Sequence, residues 1–203
     1  MTSEHPYVGR GGVKLRHALD TFAIDPRGLA CADLGCNVGG FTDCLLLAGA
    51  ARVWAVDTGY GMLAWKLRND PRVVVMERTN ALHAEPPPDA ARQTALVVID
   101  LGWTPQRHAI PAALRWLSPV GRIITLIKPH YEASAEHRRT LREGVLDEAE
   151  AEQIAKATVE ALPALGVRVV GLTRSPIEGG AGKKNKRGNA EWLAALSPSV
   201  PGD

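Results

Sequence analysis

Aromatic residues make up only 5 % of this 203-residue chain, cysteines number three, and the formal net charge is +2. Each scarcity excludes something. With few rings, the apolar fraction falls to Ala, Leu, Val and Gly, which suits helices packed on a parallel sheet. Cys31, Cys36 and Cys44 lie in or near one glycine-rich turn. Their odd number argues against a disulfide framework, they lack metal-ligand spacing, and no metal site is expected; they read as small core residues. No window approaches the roughly 18 apolar residues that cross a bilayer, and the polar opening Met1 to Pro6 has no apolar run behind it. A cytoplasmic protein with no membrane partner is expected. The length suits one α/β domain over residues 1–203, with a polar arm over 1–9, rather than two domains.

A small net charge says little about partners, but its distribution says more. Lys183, Lys184, Lys186 and Arg187 crowd one glycine-rich loop, and Arg10, Lys14 and Arg16 with His17 form a second basic cluster. Such clusters on one face would suit a phosphate backbone. Arg138, Arg139 and Arg142 read instead as solvated surface.

The chain is organised around Ala30 to Asp43, Ala-Cys-Ala-Asp-Leu-Gly-Cys-Asn-Val-Gly-Gly-Phe-Thr-Asp. It reads as the end of a buried strand over Leu29 to Leu34, a glycine turn, and a helix whose apolar face runs through Phe41, Leu45 and Leu46. A strand feeding such a turn and helix leaves backbone N–H groups beside a crevice, where α/β sheets hold nucleotide-like ligands. Gly35, Gly39 and Gly40 do not follow the dinucleotide spacing G-x-G-x-x-G, nor do they form a Walker loop. A second apolar run, Arg52 to Val56, ends on Asp57. An acidic residue at that strand tip is placed to accept hydrogen bonds from the two hydroxyls of a ribose, so a nucleoside is the expected ligand. Either Asp33 or Asp57 alone would also suit an ordinary turn; the glycine turn between them favours the site.

Taken in order, Val13, Leu15, Ala18, Leu19 and Phe22 approximate a helical stripe that carries Lys14 near its start. After Asp57 come a turn, a short helix with Leu63 to Leu67, and a strand over Val73 to Met76. Thr79 or Asn80 beyond that strand is placed to read the edge of a base. Three successive prolines mark a loop over Glu85 to Ala91, the run Ala95 to Ile99 ends on Asp100, and a helix follows over Pro105 to Leu117. The strand Gly121 to Ile127 ends on Lys128. Burying an ammonium there is costly unless it is paired or faces a crevice; the alternative is a side chain that reaches solvent. Residues 130–146 read as a loop over the site, Asp147 to Leu162 as a helix, and Val167 to Leu172 and Trp192 to Leu196 as final strands. Those two strands are joined by a basic loop over about residues 173–190. Seven strands alternating with helices and closing on a β-β pair describe an α/β, Rossmann-like sheet, mostly parallel with helices on both faces, of the class I methyltransferase kind.

Four ionisable residues stand out: Lys14, Asp100, Lys128 and Glu191. Together they suit activation of a weak hydroxyl nucleophile. A ribose 2′-hydroxyl ionises far above neutral pH, so a lysine has to orient it and help remove its proton. Carboxylates beside Lys128 would raise its pKa and a neighbouring Lys14 would lower it, which leaves Lys128 as either base or electrostatic guide.

Asp33 to Leu46 resembles the cofactor motif of the FtsJ-like ribose 2′-O-methyltransferases. Arg10 to Leu15, Gly39 to Leu46, Ala55 to Gly61, Ala64 to Val74, Glu77 to Asn80, Val97 to Asp100, Leu126 to Pro129 and Gly188 to Glu191 are more closely similar to the catalytic domain of the TlyA family, known as hemolysins and as ribosomal RNA methyltransferases. The resemblance runs from about Tyr7 to Leu196. It implies S-adenosylmethionine as cofactor and a catalytic tetrad on Lys14, Asp100, Lys128 and Glu191. It assigns Asp33, Gly35, Gly39 and Gly40, with Phe41 beside them, to the methionine side, Asp57 to the ribose and Asn80 to the adenine, with Asp100 also at the cofactor. Arg10 and the lysines around Lys183 would then contact RNA.

This sequence departs from the family at two places. Only nine residues precede the Arg-Gly-Gly segment, where the family carries an S4-like RNA-binding domain, so a separate recognition protein is a conceivable partner. Leu101 to Pro105 and His130-Tyr131 replace the usual Val-Ser-Phe-Ile-Ser and Gln-Phe. The expected function is methylation of a ribose 2′-hydroxyl in ribosomal or other structured RNA. The alternatives are a non-catalytic RNA-binding module serving ribosome assembly and a methyltransferase for a small-molecule hydroxyl. Membrane lysis finds no spanning segment and no strongly basic amphipathic helix.

Overall fold

The computed structural model describes residues 5–133, 145–180 and 188–199. Among the described residues seven strands form one sheet: β1 (Ala30–Leu34), β2 (Arg52–Val56), β3 (Val73–Met76), β4 (Thr94–Ile99), β5 (Leu117–Ile127), β6 (Val167–Arg174) and β7 (Trp192–Pro198). Their order is β3-β2-β1-β4-β5-β7-β6. The first five are parallel, and β7 lies antiparallel between β5 and β6. This is the Rossmann-like sheet expected of the sequence, including its closing β-β pair.

The central strands read as continuous apolar runs because they are covered on both faces. Alternate side chains serve opposite layers. Ala32, Leu34, Val97 and Ile99 pack under α4 (Gln106–Trp116) and α6 (Glu148–Ala161), together with Ile110, Trp116, Ala151 and Ala155. Cys31, Leu96 and Val98 pack under α1 (Gly11–Thr21), α2 (Gly40–Leu47) and α3 (Trp65–Arg68), with Leu15, Leu19, Phe41 and Leu45. All three cysteines are buried and unbridged. At the sheet's end β6 alternates buried or half-buried with exposed residues, as an edge strand does.

Local chemistry explains the helix limits. The Asp147 carboxylate accepts a hydrogen bond from Ala149 N and so caps α6. A 3-10 turn, Leu162–Leu165, then ends on Gly166 with φ +83°. Residues 130–146, read as a loop, begin instead with a helical turn, α5 (Pro129–Glu132), because Pro129 suits a first helical position. Among the described residues no helix is long and apolar enough to cross a membrane.

Candidate active site

The carboxyl ends of the parallel strands bring the site together. Asp57, Asp100 and Lys128 directly follow β2, β4 and β5. Glu191 directly precedes β7, and the antiparallel register pairs Trp192 with Ile127, so Glu191 and Lys128 arrive at the same edge. Lys14 comes from the first turns of α1, whose buried Leu15, Ala18 and Leu19 fix that helix against the sheet.

Two ion pairs result. The Lys14 ammonium pairs with Glu191 Oε2, at 7 % and 3 % residue exposure. Lys128 Nζ lies 2.5 Å from Asp100 Oδ1 and donates to the Leu101 carbonyl at 3.2 Å. Burial lowers the Lys128 pKa, but the attraction and hydrogen bond of Asp100, with the charge of Glu191, outweigh it, and the net shift is upward. Lys128 is therefore an ammonium at neutral pH. Burial pushes the Glu191 carboxyl up, against the pull of Lys14 and Lys128.

Two cavities meet at Asp100. The larger, about 500 Å³, has walls from Asp57, Thr79, Asn80, Asp100 and Trp103. The smaller, about 210 Å³, holds Arg10, Lys14, Cys36, Phe41 and Asp100. Gly35 and Asn37 line both. An apolar groove of about 370 Å³ between α4 and α6 contains none of the strand-end residues. Among the described residues no cluster of three or more His, Cys, Asp or Glu could hold a metal.

The glycine turn has several distinct reasons for its composition. Gly35 has φ +95°, and a Cβ there would stand 2.6 Å from the Asp100 carbonyl oxygen. Gly40 backs onto Gly9, Gly11 and Gly12, which lets α1 approach α2 and deliver Lys14. Gly39 lines neither cavity; its φ of +98° and the Leu63 and Leu67 side chains packed over it account for the residue. Asp33 lies wholly buried beneath the turn and also lines neither cavity. Its Oδ2 accepts from Thr42 N (2.9 Å) and Thr42 Oγ1 (2.7 Å), which ties down the start of α2. Its Oδ1 is buried without a partner.

Asp57 lines the large cavity, with Oδ2 accepting from Asn37 N (2.8 Å) and Oδ1 from Gly59 N (2.7 Å). Each carboxylate oxygen can accept a second bond. Asn80 lines the cavity too, but its Oδ1 already accepts from Leu82 N at 3.0 Å, so its side-chain amide N–H groups are the edge left to face a ligand. The basic cluster near the start is not one surface. Lys14 is buried on Glu191, Arg16 pairs with Asp20, and His17 bonds Thr173. Arg10 is exposed on the small cavity. Lys183, Lys184, Lys186 and Arg187 lie outside the described residues.

Three features had no clear signal in the sequence. Arg115 donates to the carbonyls of Leu82 (3.0 Å), Ala84 (3.2 Å) and Ala81 (3.4 Å), and so holds the turn that walls the large cavity. Trp103, 86 % exposed, packs tilted against Tyr131 with ring centroids 4.9 Å apart, and the Lys128 ammonium lies 5.7 Å from the Tyr131 ring. Both aromatics fall in the segments that depart from the family pattern. His130 is pushed down to about 4, first by burial and then by Lys128 and Lys14.

Residues 7–185 match the FtsJ-like methyltransferase family. The chain belongs to that family. It is 48 % identical over 130 residues to the 16S/23S rRNA (cytidine-2′-O)-methyltransferase TlyA of Mycobacterium tuberculosis, covering 64 % of this chain and 48 % of that protein. It is 38 % identical over 191 residues to YqxC of Bacillus subtilis, covering 94 % of this chain and 65 % of YqxC. A solved protein from Streptococcus thermophilus that carries a hemolysin name superposes with a TM-score of 0.87 at 34 % identity, over 98 % of this chain and 70 % of that one. The chain thus spans about half to two thirds of the length of these two curated relatives.

Proposed function

We propose that this chain is an S-adenosylmethionine-dependent methyltransferase of the cytoplasm whose acceptor is a ribose 2′-hydroxyl of ribosomal or other structured RNA. The observation that carries the reading is the double ion pair, Lys14 with Glu191 and Lys128 with Asp100, in which Asp100 lines both cavities and Lys14 the smaller, while Lys128 and Glu191 stand behind them. The name of the mycobacterial relative supports the acceptor.

The residues present fit the cofactor. Asp57 retains acceptor capacity for a ribose diol, and the Asn80 amide N–H groups and the turn at Ala81 face the same cavity as a base would, while Asp33 beneath the glycine turn anchors Thr42. When bound, S-adenosylmethionine supplies a methyl group on a sulfonium sulfur, an electrophile for a hydroxyl oxygen. Lys128, kept charged by Asp100, would hold the acceptor hydroxyl by its oxygen, and the proton which that oxygen must lose would pass to the Asp100 carboxylate, which lines both cavities. The charge of Glu191, which pairs with Lys14, adds to that of Asp100 in keeping Lys128 an ammonium. The Tyr131 ring lies beside the Lys128 ammonium.

The test is transfer of labelled methyl from S-adenosylmethionine to ribosomal subunits, total RNA and small-molecule alcohols, with RNA digested to nucleosides. Label in a 2′-O-methylated nucleoside, reduced about 10²-fold or more by Lys128→Ala, is the expected result. Label only in a small alcohol, or RNA binding without transfer, would refute it. A turnover rate that stays flat between pH 6 and 9 would mark Lys128 as an ammonium guide, and a tenfold rise per pH unit would mark it as a base.

A further inference from the structure

Glu191 is held by a single turn. Its carbonyl oxygen accepts from Ser175 N at 2.8 Å, and the Ser175 hydroxyl closes the turn by donating to the Ile177 carbonyl at 2.7 Å. Gly179 then pairs with Asn189 in both directions, N–H to carbonyl at 2.9 and 3.0 Å, as an isolated antiparallel bridge. The bridge lays the Gly179 backbone against the Glu191 side chain. A Cβ at Gly179 would collide with Oε1 and stand 2.6 Å from the carboxylate carbon. Gly180 next to it differs in both respects: it has φ +73° and open space where a side chain would go. Gly180 is a glycine for its backbone, and Gly179 for the side chain it lacks.

We propose that Gly179 is a positioning residue for methyl transfer: its missing side chain is the space in which the Glu191 carboxylate meets the Lys14 ammonium. The carboxylate has few other places to go, since Glu191 is 3 % exposed and sits ahead of a strand whose first six residues are buried. Its charge also reaches Lys128, after burial and Asp100, so moving it from Lys14 changes the surroundings of both lysines. A methyl group at residue 179 displaces the carboxylate from Lys14 without touching either cavity, neither of which Gly179 lines. This inference rests on the methyltransferase reading.

The experiment is Gly179→Ala, made alone and together with Glu191→Asp, whose carboxylate is one methylene shorter. Turnover on ribosomal RNA is measured per cofactor-binding site, beside cofactor affinity and thermal unfolding. Gly179→Ala alone should lower turnover about 10²-fold, the scale of an ångström-sized misplacement, with cofactor affinity unchanged within about twofold. In the Glu191→Asp background the same change should cost less than about threefold. Equal fold losses in the two backgrounds, or no loss in either, would overturn the proposal. A folding defect is resolved by a third background: Gly179→Ala should lower the unfolding midpoint in the otherwise natural chain and leave it unmoved with Glu191→Ala. Equal shifts in both would also refute the contact. Should the natural chain transfer no methyl at all, the methyltransferase reading fails, and the unfolding comparison still decides whether Gly179 makes room for Glu191.

Discussion

Asp33 is fully buried and keeps one carboxylate oxygen without a partner, and its pKa is pushed up to about 7. Burial is the largest cause; the Thr42 hydrogen bonds oppose it, and the charges of Asp100 and Asp57 add to it. The folded state therefore binds a proton that the unfolded chain, with an ordinary value of 3.8, has released. Stability from this group is full below 3.8 and is lost as pH rises through about 7. At about 1.4 kcal/mol per unit of pKa difference, the loss comes to roughly 4 kcal/mol at pH 8, of which about 2 kcal/mol falls between pH 5.5 and 8. Asn in this position keeps an oxygen for Thr42 and carries no charge. Asp33→Asn should therefore gain about 2 kcal/mol relative to the natural chain as pH is raised over that interval, read by urea unfolding of the cofactor-free protein. Other titrating groups are common to both proteins and drop out of the difference. A stability difference that stays constant from pH 5.5 to 8 would refute the reasoning, because it would mean that Asp33 ionises alike in both states.

Removing one partner of a buried ion pair should cost more than removing both. Lys14→Met strands the Glu191 carboxylate and should lower unfolding stability by about 3 kcal/mol, whereas Lys14→Met with Glu191→Leu should recover most of it. Arg115→Met frees the carbonyls of Ala81, Leu82 and Ala84; calorimetry should show cofactor affinity about tenfold weaker, with turnover at saturating cofactor unchanged. His130 has its pKa pushed down to about 4 from 6.5, so its contribution is present above 6.5 and lost as pH falls toward 4. Replacing it by Gln should spare about 1 to 2 kcal/mol of the natural chain's loss between pH 7 and 5 in denaturant unfolding.

The strands were legible because burial on both faces leaves continuous apolar runs, and the residue ending each run was legible as well. Parallel strands place all such residues at one edge, so Asp57, Asp100 and Lys128 could be grouped from their positions alone. Extents were less legible. β5 begins at Leu117 rather than Gly121, across an irregular register with β4, because pairing partners and not composition set a strand's first residue. The glycine turn was visible, but the separate reasons for its glycines were not. Only the packed neighbours separate Gly39, covered by Leu63 and Leu67, from Gly35, which stands against Asp100.

Local chemistry in the sequence thus determined the order of strands and helices, the glycine turn, and the four charged residues that tetrad chemistry would need. Tertiary structure alone decided which cation meets which carboxylate. Lys14 and Glu191 are 177 positions apart, and they pair because α1 packs on the sheet and β7 runs antiparallel to β5. The same packing takes Lys14, Arg16 and His17, neighbours along the chain, to three different partners. Charge interactions depend on distance and burial, and neither is a property of sequence position.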